Sequence, residues 1–226
     1  MTGAAFVPPE SELRALLRDR FRGTVAGDTA DDRFLGLPAA ESRRYRHLVS
    51  AAPTPAAVLV PIVDHPEGLT VLLTERASDL RHHPGQVAFP GGRLEAHDTD
   101  AVATALRETE EEIGLPRSAV EVIGYLPSHV IITGYRVTPV VGFVQPNKPL
   151  TLDPVEVAAV FEVPLRHILD PGNHRPRERA IGGEHAVLYD IPFDNHNIWG
   201  ATAGMLITFY RFVMFGPDRP EAPPRG

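Results

Sequence analysis

Glu108, Glu111 and Glu112 stand three and four residues apart in the segment GGRLEAHDTDAVATALRETEEEIGL, residues 91–115. At about 100° per residue of α-helix the three carboxylates share one stripe, next to an apolar stripe of Val102, Ala105, Leu106, Thr109 and Ile113. Glu110 falls on the far side of the apolar stripe, and Arg107 is one turn before Glu111, where a salt bridge would orient it. The like-charge pairs Glu108–Glu111 and Glu108–Glu112 cost about 0.2–0.5 kcal/mol each, and acids in a last turn meet the negative end of the helix dipole. Those costs are small enough for a solvated acidic helix. A divalent cation would turn the same repulsion into binding, since Mg²⁺ takes a few carboxylates together with water and phosphate oxygens. The preceding Pro90-Gly91-Gly92 favours the metal reading, because glycines let backbone amides approach a ligand closely and bring phosphate and metal into one cleft.

Composition narrows the chemistry. The 226 residues contain no cysteine, which excludes disulfides, thiolate zinc, iron–sulfur clusters and a cysteine nucleophile. His129, His167, His174, His185 and His196 have no ligand spacing, so oxygen ligands are favoured. A net charge of −7 argues against nucleic-acid binding, and an anionic small molecule must then be held by a local basic patch. The start lacks the order of a secretory signal. The apolar stretch Ile198–Phe215 is interrupted by Arg211 and reads as a buried helix, so a soluble cytoplasmic protein with no membrane partner is expected.

Elements must position these residues. With 43% hydrophobic and 23% charged residues, one domain with a real core is expected. Leu13, Leu16, Leu17 and Phe21 predict an amphipathic first helix, followed by a polar arm in which Arg43, Arg44, Arg46 and His47 form a solvated cluster. Strands are expected at 56–63, 69–76, 87–89, 120–126, 135–145, 156–164 and 185–192. A central helix from about Asp98 to Ile113 and a final helix over 200–215 complete an α/β fold with a mixed sheet between helices. Phe89 and Trp199 read as core residues. The division is an arm over 1–54, a domain over 55–215 and a disordered tail over 216–226.

The segment 91–115 resembles the signature of the Nudix hydrolases, G-x5-E-x7-R-E-U-x-E-E-x-G-U with U aliphatic. Arg107, Glu108, Glu111, Glu112, Gly114 and Leu115 match it. Thr99 falls where the first glutamate should stand, and a one-residue insertion restores Gly92 to the glycine position and puts Asp98 at the glutamate. Residues 72–92, LLTERASDLRHHPGQVAFPGG, resemble the pattern L-L-T-x-R-[SA]-x3-R-x3-G-x3-F-P-G-G of the coenzyme A pyrophosphatase branch of that family.

The resemblance implies an α/β/α sandwich and metal-dependent hydrolysis of the diphosphate of CoA or an acyl-CoA, giving 3′,5′-ADP and 4′-phosphopantetheine or its acylated form. It implies Mg²⁺ or Mn²⁺ held by Glu108, Glu111 and Glu112, with Arg107, Glu108 and Glu111 as the catalytic set and Glu108 as the candidate base. Arg76, Arg81, His83, Gln86, Gly91 and Gly92 would receive the substrate, the arginines supplying the basic patch that an acidic protein needs. Glu156 or Glu162 either adds a carboxylate or simply alternates with buried apolar residues, the second being preferred. Two other readings stand beside this one: another nucleoside diphosphate derivative such as ADP-ribose as substrate, and a nucleotide-binding module without turnover. A homodimer through the arm is the expected assembly.

Overall fold

The computed structural model describes residues 7–27, 32–77, 85–146 and 148–216. Helix α1 (Glu10–Phe21) forms as its spacing predicts, with Leu13, Leu17 and Phe21 fully buried. Strand β1 (Arg33–Phe34) and the short helix α2 (Ala39–Ser42) follow, then a 3₁₀ segment, Arg43–Leu48, which buries Tyr45. Next come β2 (Thr54–His65), β3 (Gly68–Arg76), β4 (Val87–Ala88), β5 (Gly91–Arg93) and the carboxylate helix α3 (Ala101–Ile113). The second half holds β6 (Val120–Tyr125), β7 (His129–Val130), β8 (Tyr135–Val144), β9 (Val157–Pro164) and α4 (Leu165–Leu169). It ends with β10 (Arg175–Ile181), β11 (Glu184–Phe193), β12 (His196–Ile198) and α5 (Gly200–Phe215).

Among the described residues β1 to β9 form one mixed sheet in the order β1-β7-β8-β2-β3-β4, with β5 on β2, β6 on β8 and β9 on β3. Its spine is the parallel pairing of β2 with β8, from Thr54 opposite Tyr135 to Val63 opposite Val144. Both strands are buried on both faces, which explains their near-continuous apolar runs. One face packs on α1, α4 and α5, where Phe21 stacks on Phe209 and Phe212. The other face packs on α3 through Ala57, Leu59, Leu72, Ala105 and Ile113. A second sheet, β10-β11-β12, shares a smaller cluster with the arm, Phe34 and Tyr45 against Ile181, Ala186 and Leu188.

Helix α5 is buried along most of its length, and no helix among the described residues is long and apolar enough to cross a membrane. Two expectations change. Trp199 is 40% exposed rather than core, because it precedes α5 at the edge of the smaller sheet. The central helix starts at Ala101, not at Asp98, because Asp100 caps it by accepting the Ala103 N–H at 2.8 Å.

Candidate active site

Helix α3 lies against β2 and β5, so its carboxylates meet the glycine turn. Gly91, at φ +151°, has no room for a side chain, since a Cβ would stand 2.4 Å from the Ala57 carbonyl oxygen. At Gly92 the obstacle is the site itself, because a Cβ would lie 2.4 to 2.6 Å from the Glu108 carboxylate. The Gly91 N–H donates to Glu112 Oε2 at 3.2 Å. Glycines here let the strand backbone touch two helix carboxylates directly.

Arg107 organises the helix from within. Its Nε and Nη2 grip the two oxygens of Asp98 at 3.0 and 2.8 Å, and Nη1 donates to Glu108 at 2.9 Å and Glu111 at 3.0 Å. Nη2 also donates to the Arg93 carbonyl at 3.2 Å, so every guanidinium N–H has an acceptor. Asp98 is itself held by the Thr104 hydroxyl and the Glu95 N–H, each at 3.0 Å, and Arg107 keeps its carboxyl well below the usual range. The insertion in the helix signature therefore leaves Asp98 where it pairs with Arg107.

The stripe of three glutamates divides by environment. Glu112 is buried, and burial, reinforced by Glu156 and Glu108, pushes its carboxyl up to about 8 against the opposing Gly91 N–H and the Arg76 charge. Burial also raises Glu108, with Arg107 opposing it. Glu111 is exposed and rests on Arg107. A desolvated carboxylate with other carboxylates nearby and one backbone N–H is short of positive partners, and such hard oxygen donors suit Mg²⁺ or Mn²⁺. Among the described residues, no three acidic or histidine side chains already converge as a ligand set.

Glu156 joins this field although its sequence pattern favoured a mere alternation. It precedes β9 on a strap, Thr151–Glu156, that closes the end of α3: Thr151 N–H donates to the Ile113 carbonyl and Asp153 N–H to the Glu112 carbonyl, each at 2.9 Å. Glu162 follows the blander expectation and pairs with His65 at 2.6 Å. Arg76 ends β3, and its buried Nε has no hydrogen-bond partner. Its backbone N–H donates to the Gln86 carbonyl at 3.0 Å, which places Gln86 beside the end of β3. Arg81 and His83 lie outside the described residues.

The NUDIX domain family matches residues 53–181, more than half of the chain. The uncharacterized Nudix hydrolase NudL of Escherichia coli O7:K1 is 48% identical over 152 residues, covering 67% of this chain and 78% of that protein. The protein of the same name from Cronobacter sakazakii is 47% identical over the same shares. A solved MutT/nudix family protein from Enterococcus faecalis is 18% identical, covers 92% of this chain and 75% of its own, and has a TM-score of 0.47. Since the family match runs across the sheet spine, the glycine turn and the carboxylate helix, the chain belongs to the Nudix hydrolases, enzymes that cleave phosphoric anhydride bonds in nucleoside diphosphate derivatives.

Proposed function

We propose that the protein hydrolyses the diphosphate of coenzyme A or an acyl-CoA, releasing 3′,5′-ADP and (acyl-)4′-phosphopantetheine. The observation that carries this reading is Arg76. The strand bearing the CoA-type motif ends in a guanidinium whose buried Nε lacks an acceptor and whose charge acts on Glu112. A phosphate oxygen of a diphosphate placed there would satisfy it.

Glu108, Glu111 and Glu112 would hold Mg²⁺ or Mn²⁺, which when bound neutralises the diphosphate and makes water a better nucleophile. Water attacks one phosphorus, the bridging P–O bond breaks, and the leaving phosphate departs with the electron pair while a base accepts the water proton. Glu108 suits that base: burial raises its carboxyl and Gly92 leaves it accessible from the turn. Arg107, with every N–H engaged, orients Glu108 and Glu111 and does not reach substrate. Gly91 and Gly92 let the strand backbone close on Glu112 and Glu108, and Gln86, Arg81 and His83 would receive the substrate.

The test is a substrate panel with Mg²⁺ or Mn²⁺: CoA, acetyl-CoA, ADP-ribose, a dinucleoside polyphosphate and ATP, with products separated by chromatography. Formation of 3′,5′-ADP from CoA at the highest kcat/KM is expected. Faster cleavage of ADP-ribose with no 3′,5′-ADP from CoA overturns the assignment.

A further inference from the structure

The smaller sheet carries a concentration of cations away from the carboxylate helix. Arg175, Arg177 and Arg179 alternate along β10 and so share one face. Beneath them lies the buried Asp190 of β11: Arg179 Nη2 donates to both its oxygens at 2.9 and 3.2 Å, and Arg177 Nε stands 3.7 Å away. So held, the Arg179 guanidinium lies over the Trp199 ring, 5.2 Å from its centre, and its buried Nε has no acceptor. Trp199 remains 40% exposed. In a chain of net charge −7, an arginine on an open indole, with two more arginines on the same strand face, forms a local surface suited to an aromatic anion.

Its place in the fold ties it to the site. Thr202, at the first turn of α5 after Trp199, donates to the Val87 carbonyl at 2.9 Å. Val87 and Ala88 of β4 pair with Glu75 and Thr74 of β3. The patch therefore lies at the end of β3 from which Arg76 acts on Glu112.

We propose that Trp199 and Arg179 form the platform on which the purine ring of the nucleotide substrate stacks, with the exposed Arg177 taking a phosphate of the same nucleotide. The proposal deepens the CoA reading and rests on it for the identity of that nucleotide. Indole and guanidinium planes both accept a base by stacking, and arginine grips phosphate through parallel N–H donors. Asp190 holds Arg179 over the indole, while Arg177 stays more than half exposed.

Trp199 is the only tryptophan in the chain, so its emission reports on this surface alone. The full-length protein is titrated with 3′,5′-ADP, AMP and 4′-phosphopantetheine. Saturable quenching by the two adenine nucleotides and none by 4′-phosphopantetheine is expected, with Arg177→Ala weakening 3′,5′-ADP by about tenfold. Trp199→Ala should raise KM by roughly tenfold at nearly constant kcat, and Trp199→Phe should restore it. Unchanged emission at saturating 3′,5′-ADP, together with a wild-type KM for Trp199→Ala, overturns the platform even if CoA is cleaved. Quenching by adenine nucleotides in a protein that cleaves ADP-ribose but not CoA retains the platform and overturns the CoA reading instead.

Discussion

Asp98 and Arg107 meet through two parallel hydrogen bonds of 3.0 and 2.8 Å, both side chains almost wholly removed from solvent. Removing one partner leaves the other charge buried, so Asp98→Ala should cost about 3–5 kcal/mol in urea denaturation. It should also lower kcat, because Glu108 and Glu111 lose the anchor that fixes them. The Asp98 carboxyl is depressed in the folded state, so its contribution is complete above about pH 4 and fades as pH falls further. The stability gap between wild type and Asp98→Ala should narrow over the same range.

Gly91 and Gly92 should respond differently to alanine. Gly92→Ala drives a methyl group into the Glu108 carboxylate, a flexible side-chain end, so activity should fall while the melting temperature moves little. Gly91→Ala meets backbone of Ala57 and Val58 at positive φ, and should cost about 1–3 kcal/mol as well as activity. Thermal melts beside turnover rates separate the two cases.

Glu112 predicts a pH-dependent metal response. Its folded-state value near 8 lies above that of the unfolded chain, so the metal-free protein should lose stability as pH rises from about 4.5 to 8. Bound Mg²⁺ requires the ionised carboxylate, so the thermal shift it produces should be larger at about pH 8 than at about pH 5. Glu112→Gln should abolish that dependence and reduce kcat at least about a hundredfold. An undiminished Mg²⁺ shift in Glu112→Gln would remove Glu112 from the ligand set.

The carboxylate helix is legible in the sequence, and the parts of the candidate site that are not have physical reasons. The helical spacing of Glu108, Glu111 and Glu112 survives in α3, and the i, i+4 pair of Arg107 with Glu111 forms at 3.0 Å. The burial of Arg107 was hidden, because an arginine between an apolar and an acidic stripe reads as surface until Asp98 is seen to fold back onto it. Glu156 was hidden for another reason: its partners come from α3, and only the hydrogen bonds of the strap reveal the approach. Strand β10 was missed because RPRERAI, with its proline and alternating charges, looks like a loop, and those are the residues that keep an edge strand from pairing with another chain. Residue type alone points Trp199 to the core, but the adjoining glycine and short edge strand leave it open.

His129 supplies an acid-sensitive point remote from α3. It is fully buried, with Nδ1 3.0 Å from the Pro127 carbonyl and Nε2 3.1 Å from the Thr208 hydroxyl, and burial pulls its value down to about 4. The unfolded chain takes up this proton near pH 6.5, so its share of stability should be complete above that pH and decline toward pH 4, at up to about 1.4 kcal/mol per unit. Urea midpoints of wild type and His129→Leu across that range should converge as the pH falls.

The strap from Thr151 to Glu156 gives α3 more than an end cap. Its amides hold carbonyls of the helix's last turn, so the strap cannot detach without exposing Ile113 and Glu112 backbone to water. In native-state hydrogen exchange the amides of Thr151 and Asp153 should open together with the last turn of α3, as one cooperative unit. Glu156, carried by the same strap, should therefore keep its place beside Glu112 and Glu108 for as long as that unit stays folded.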